Sequence, residues 1–167
     1  LLDHEAALFR TLGCSALSAI SPGVLGETGI ETLELIRGAV RSVRPDLVIA
    51  VDALAARSCS RLATTVQISD SGIVPGSGIG NHRTAITMET LGVPVISVGV
   101  PTVVDSSTLV WDALREAGID EVSSTLRAVL DNGKRFFVSP KESDLISDAV
   151  SELLAGAISE AFVGNLS

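Results

Sequence analysis

A carboxylate follows directly on an aliphatic run in the first third of the sequence. Residues 47–51 read LVIAV, and Asp52 ends the run within the stretch PDLVIAVDALAARS. Aliphatic runs of this kind are typical of strands buried on both faces. Catalytic groups in open α/β sheets gather at the carboxyl ends of such strands, so Asp52 is a candidate acid or base. A capping role for the next turn explains the residue equally well, because aspartate is a preferred N-cap.

A glycine-rich segment, PGSGIGNHR at residues 75–83, is the second candidate for chemistry. Gly76, Gly78 and Gly80 have the spacing GxGxG. This is neither the dinucleotide fingerprint GxGxxG nor a phosphate-binding loop, which requires GK[ST]. The favoured interpretation is therefore a flexible loop, and contact with a substrate is the functional alternative.

Further polar residues could join Asp52, but their spacing does not select among them. His82 is interpreted as a solvated loop residue, because a metal site needs several converging ligands and no spacing of Asp52, Asp70 and His82 indicates one. Asp105 follows another aliphatic run and is interpreted first as a cap. It remains a candidate second carboxylate, since acid–base chemistry by carboxyl groups normally uses two whose pKa values are driven apart.

Composition excludes several classes of protein. The net charge is −8, from 20 acidic and 12 basic residues, and no block rich in Lys or Arg occurs, so direct nucleic-acid binding is disfavoured. No apolar run approaches the length of a membrane span. Cys14 and Cys59 lie in no CxxC spacing and are predicted to be reduced thiols of a cytoplasmic protein.

The elements that must position these residues alternate along the chain. Short aliphatic or β-branched runs predict strands at residues 15–21, 46–51, 62–70 and 93–102. Amphipathic or capped segments predict helices at residues 28–44, 84–92, 106–118, 120–133 and 139–162. This alternation predicts an α/β fold, with a mainly parallel sheet flanked by helices on both faces in three layers. With 167 residues, a single domain over positions 1–167 is expected.

Several long segments together resemble the germination protease family, also called the spore protease family. The match runs from about Ser21 to Leu109, and VSPKESDLISDAVSELLAGAISEAF resembles the C-terminal helix of the family. The region between Trp111 and Phe136 is shorter than the family pattern. The segments that carry the resemblance are SPGVLGETGIET, PDLVIAVDALAARS, TTVQISDSGIVPGSGIGNHR and TLGVPVISVGVPTVVDSSTL.

The resemblance implies an atypical aspartic endopeptidase that degrades small acid-soluble spore proteins during germination, in the cytoplasm of the forespore or in the spore core. It implies a fold similar to the hydrogenase-maturation proteases, a zymogen form, homo-oligomers that are tetramers in the family, and no cofactor. Asp52 carries over as one of two catalytic aspartates. The other belongs to an upstream motif that has no counterpart here, so we expect this chain to lack the N-terminal segment of the family.

A substrate role for two segments is our own inference rather than part of the resemblance. TTVQISD and the glycine-rich segment are expected to border the cleft and to seat an extended substrate. The residues expected to do so are Thr65, Gln67, Gly76, Gly78, Gly80 and His82. Two hypotheses from other classes remain open at this point. One is a non-catalytic module that binds a partner or self-associates, and the other is a metal-recognising maturation protease in which Asp52 and His82 are ligands.

Overall fold

The computed structural model describes residues 11, 13–23, 28, 30–76, 83–133 and 136–163. The chain divides into two compact units. Leu33–Ser143 form one unit, and Leu1–Thr32 with Asp144–Ser167 form the other. The helices and strands follow one another in this order: α1 (Thr32–Val43), β1 (Val48–Ala56), a 3-10 turn (Cys59–Arg61), β2 (Gln67–Ser69), α2 (Met88–Leu91), β3 (Val95–Asp105), α3 (Ser106–Glu116), α4 (Ser124–Asn132), β4 (Phe137–Val138) and α5 (Ser143–Val163).

Within the described residues the sheet has four strands in the order β1–β3–β2, with β4 paired to the end of β3. β1 and β3 run parallel over nine residue pairs, from Val48 opposite Val95 to Ala56 opposite Val104. β2 and β4 are short and pair with β3 in the antiparallel direction, which requires no crossover helix. The predicted α/β class is confirmed. The sheet is mixed, and its longest pairing is the parallel one.

An aliphatic core lies on one face of this sheet, at the start of β1 and β3. Leu33, Ile86 and Val95 are almost completely buried there. Alternate residues of a strand project to the same face, so Val48, Ala50 and Asp52 lie in one line along β1. Asp52 is thus the next side chain on this face after the core. The residues that pack around the buried three are Ile36, Val48, Ala50, Ile73 and Leu91.

The prediction of a strand at residues 15–21 is wrong. Residues 14–23 have no regular secondary structure, and the segment is instead bonded to the end of α5. The Ser15 N–H donates to the Phe162 carbonyl over 2.7 Å, and the Cys14 thiol donates to the Val163 carbonyl over 2.8 Å. The last carbonyls of a helix lack partners within the helix, so they accept these bonds in place of a neighbouring strand.

The predicted helices are confirmed, and each covers fewer residues than predicted. The helix predicted at 28–44 begins only at Thr32, and the one predicted within 120–133 covers Ser124–Asn132. The Ser123 side chain caps that second helix by accepting from the Leu126 N–H. Among the helices within the described residues, none is long and apolar enough to cross a membrane.

Candidate functional site

Asp52 occupies a different place on its strand from the one predicted. It is the fifth of nine residues of β1, not the residue at the carboxyl end. In the described part of the sheet β1 pairs with β3 alone, so it is an edge strand there and not a central one. Residues 53–56, ALAA, have little intrinsic strand preference, but their pairing with β3 keeps them extended. The residues before and after Asp52 along β1 are all paired with β3, and this pairing fixes the backbone of the aspartate.

The two oxygens of the Asp52 carboxyl group have different surroundings. Oδ1 accepts a hydrogen bond of 2.9 Å from the Ala53 N–H. Oδ2 is buried and has no hydrogen-bond partner among the residues that the structure describes. A buried carboxylate oxygen without a partner is costly, and it is available to a second carboxyl group, a water molecule or a substrate.

Burial raises the pKa of Asp52 above its ordinary value of 3.8. The Ala53 N–H, the Arg83 guanidinium and the Gly76 N–H oppose this shift, because each favours the charged carboxylate. The balance favours a carboxyl group that retains its proton to higher pH than a solvated aspartate, as a general acid or base requires.

The residues that flank the glycine-rich segment pair with each other through their backbones. Ile73 and Ile86 exchange two backbone hydrogen bonds, of 3.0 and 2.7 Å. Gly72 lies against the backbone of Ile86 with φ +78, and a Cβ atom there would collide with the Ile86 carbonyl oxygen. Gly76 and Arg83 both influence Asp52 electrostatically. Three residues expected to contact a substrate lie outside the described residues: Gly78, Gly80 and His82.

Gln67 shares a row of the sheet with Asp52, whereas Thr65 does not. Gly99 of β3 is paired with Asp52 on one side and with Gln67 on the other. Paired residues of neighbouring strands project to the same face, so Gln67 lies on the face that carries Asp52. Thr65 donates its hydroxyl to the Arg61 carbonyl over 3.2 Å and is thus engaged in the turn after β1.

Two residues of this site, Gly99 and Leu54, are missing from the candidates of the sequence analysis. A Cβ atom on Gly99 would lie 2.8 Å from Leu54 Cγ and would collide with Leu54 Cδ1. Leu54 therefore covers the place that a side chain at position 99 would take. The signal was present in the sequence, because an isolated glycine within a strand indicates close approach by another group.

Asp105 is a helix cap and not a partner of Asp52. Its Oδ1 accepts from the Ser107 N–H over 2.8 Å and from the Ser107 hydroxyl over 2.6 Å at the start of α3. Asp105 follows Gly99 by six residues on β3. A strand rises about 3.3 Å per residue, which places Asp105 roughly 20 Å along the sheet from Asp52. The capping interpretation therefore holds for this residue.

The described residues contain no group of three or more His, Cys, Asp or Glu side chains that could hold a metal ion. His82, one ligand of the maturation-protease hypothesis, lies outside them.

Comparison with known proteins gives one consistent result. The germination protease family model matches residues 10–117, which include Asp52, Leu54, Gln67 and Gly99. The germination protease of Caldanaerobacter subterraneus subsp. tengcongensis is 48% identical over 154 residues, covering 78% of this chain and 47% of that protein. The germination protease of Clostridium perfringens strain SM101 is 52% identical over 119 residues, covering 71% and 35%. That of Priestia megaterium is 58% identical over 102 residues, covering 61% and 28%. This chain spans less than half the length of these relatives.

Proposed function

Because this chain belongs to the germination protease family, we propose that it forms the Asp52-bearing part of an endopeptidase that degrades small acid-soluble spore proteins during germination. The observation that carries the proposal is the state of the Asp52 carboxyl group. It is half-buried in a fixed strand, with one oxygen bonded to the Ala53 N–H and the other without a described partner. A carboxyl group in this state can accept and return a proton near its shifted pKa.

The proposed chemistry is of the aspartic type. Asp52 would share a proton with a second carboxyl group that approaches Oδ2, because two close carboxylates cannot both be charged. The charged member of the pair takes a proton from a water molecule as the water oxygen attacks the peptide carbonyl carbon. The other member protonates the leaving amine, and the pair regains its single shared proton. No described residue supplies the second carboxyl group to Oδ2.

The substrate contacts remain part of the proposal. Gln67 lies in the same row of the sheet as Asp52, and the Gly76 N–H acts on the Asp52 carboxyl group, which supports a role for each in holding an extended peptide. Roles for Thr65, Gly78, Gly80 and His82 rest on the sequence alone. The zymogen form, assembly into homo-oligomers and the spore-core location rest on the resemblance alone.

A cleavage assay with a matched control tests the catalytic assignment. The polypeptide that carries this chain is incubated with a small acid-soluble spore protein, and fragments are quantified by mass spectrometry. We expect Asp52→Asn to lower the cleavage rate at least about 100-fold, the usual minimum contribution of a general acid or base. Asp46→Asn, an exposed aspartate just before β1, is expected to cleave at the wild-type rate. Circular dichroism checks that both variants fold, and cleavage by Asp52→Asn at the wild-type rate contradicts the assignment.

A further inference from the structure

A gap in the row of side chains separates Asp52 from Gln67. Gly99 stands between them and is paired with both, and it contributes no side chain to the face that they share. Neighbouring strands lie about 4.8 Å apart, so the Cα atoms of Asp52 and Gln67 are about 10 Å apart across β3. This row, which we call the trough, crosses the strands and has a carboxyl group at one end and an amide at the other.

Leu54 covers Gly99 with its side chain, between the two ends of this trough. It follows Asp52 by two residues and so projects to the same face. Its side chain leans over Gly99, with Cγ 2.8 Å from the position that a Cβ atom there would take. Leu54 is itself only partly buried. The trough therefore offers an apolar contact between its two polar ends.

Gln67 is free to bind a ligand at the far end. The side chain is exposed and makes no hydrogen bond with the described residues. A glutamine amide can donate and accept at once, which matches the C=O and N–H of a peptide group. Ile68, its neighbour in β2, projects to the opposite face and is 72% exposed.

We propose that the trough from Asp52 to Gln67 binds an extended segment of the substrate, with an apolar side chain on Leu54 and a main-chain amide on Gln67. The proposal rests on the proposed function and specifies how substrate lies in that site. An extended peptide advances about 3.3 Å per residue, so a span of about 10 Å holds about three residues. Gln67 thus contacts the substrate two or three residues away from the peptide bond at Asp52.

Pairing of substrate with the outer edge of β2 is the competing arrangement. That edge is open in the described sheet and would accept an extended chain. A peptide paired there would lie one further strand spacing beyond Gln67, roughly 15 Å from Asp52. Its scissile bond could not reach the carboxyl group, whereas a peptide lying across the trough brings that bond directly to it.

Binding without turnover tests the proposal. Fluorescein-labelled decapeptides that tile a small acid-soluble spore protein are titrated with the Asp52→Asn variant of the polypeptide that carries this chain, and anisotropy gives Kd. The tightest peptide is then truncated residue by residue from each end. We expect Gln67→Ala in the Asp52→Asn background to raise Kd about 5- to 15-fold, the effect of one lost hydrogen bond. Ile68→Ala, on the opposite face of the same strand, is expected to leave Kd within twofold.

Truncation then locates the contact. Once the peptide residue two or three positions from the cleaved bond is removed, Gln67→Ala should no longer change Kd, because the contact is already lost. Leu54→Ala should make the protein bind peptides with a larger apolar side chain more tightly, at the peptide residue that lies between the cleaved bond and the residue at Gln67. Equal Kd values for the Gln67→Ala and Ile68→Ala variants, or no peptide binding by Asp52→Asn at all, would overturn the trough. If Asp52→Asn instead cleaves normally, the proposed function fails, and that result is read in the separate cleavage assay.

Discussion

The carboxylate of Asp112 accepts a hydrogen bond of 2.7 Å from the backbone N–H of Cys59, and this bond joins α3 to the 3-10 turn that follows β1. The Ser58 hydroxyl donates to the same oxygen over 3.1 Å, and Arg115 donates to the other over 3.0 Å. The pKa of Asp112 is lowered below 3.8, first of all by the Cys59 N–H. Asp112 thus anchors the end of the strand that holds Asp52.

Asp112→Ala is expected to reduce the free energy of unfolding by about 2 kcal/mol, because it removes hydrogen bonds to a charged acceptor. Asp112→Asn should reduce the free energy of unfolding by less, since the amide oxygen of asparagine can still accept from the Cys59 N–H. The stabilisation is fully present above pH 3.8 and is lost as pH falls through the lowered pKa of the folded state. Urea unfolding of wild type and both variants at pH 7 and pH 3 measures the loss of stability and its dependence on pH. Asp131→Ala, an exposed aspartate on α4, is the control, and an equal loss in that variant would contradict the anchoring role.

Arg127 of α4 lies over the ring of Trp111 of α3, 5.3 Å from its centre. Arg127→Ala should therefore reduce the free energy of unfolding by about 0.5–1 kcal/mol, the range of an exposed cation–π contact. Trp111 is the single tryptophan, so the fluorescence spectrum reports the surroundings of this one residue, including the Arg127 contact. We expect a changed emission maximum in Arg127→Ala and none in Arg57→Ala, which removes an exposed cation elsewhere. Identical spectra for wild type and Arg127→Ala would show that the contact does not persist in solution.

The fold class could be predicted from the sequence because aliphatic runs and amphipathic segments alternate, and Gly, Pro and capping residues mark their boundaries. β3 illustrates this, since it is rich in valine and isoleucine and is mostly buried. α5 is a second example, because its long sequence carries regularly spaced apolar residues and contains no proline. The strand prediction at residues 15–21 is wrong because local composition does not show whether a neighbouring strand is available for pairing. The Ser15 N–H at the start of this segment bonds to the Phe162 carbonyl near the end of α5, far away in the sequence.

Asp52 could be singled out from the sequence, but its surroundings could not. Its proximity to Gly76 and Arg83 accompanies a backbone pairing between Ile73 and Ile86, which lie far from Asp52 in the sequence. Its relation to Gln67 depends on the register of β3 with two other strands, and a shift of one residue would move Gln67 to the opposite face. Register is a tertiary property, so the row that contains Asp52 and Gln67 is visible only in the folded chain.

Gly99→Ala is expected to reduce the free energy of unfolding by about 1–3 kcal/mol, the usual cost of forcing an extra methyl group into a packed site. The new Cβ atom would collide with Leu54 Cδ1. Leu54→Ala removes that collision, so the double variant should lose less stability than the two single variants added together. A double-mutant cycle in urea measures this coupling. Strict additivity would mean that the Leu54 side chain is not held over Gly99.

Asp52→Asn is expected to stabilise the fold at neutral pH although it removes the proposed catalytic group. Burial raises the pKa of Asp52, so the folded state disfavours the charged carboxylate that the unfolded chain carries above pH 3.8. The wild type therefore loses stability as pH rises through the raised pKa, whereas the neutral amide does not titrate. The midpoint of thermal unfolding should be higher for Asp52→Asn than for wild type at pH 7, and the two should converge at pH 3.

Asp46→Asn is the matched control for this difference, because Asp46 is an exposed aspartate just before the same strand, and its unfolding midpoint is measured at the same two pH values. A difference between Asp52→Asn and wild type that is the same at both pH values would point to altered packing instead of ionisation. A lower midpoint for Asp52→Asn at pH 7 would mean that the folded chain stabilises the charged form. The carboxyl group would then be a structural ion, and its unpartnered oxygen would no longer support a role in proton transfer.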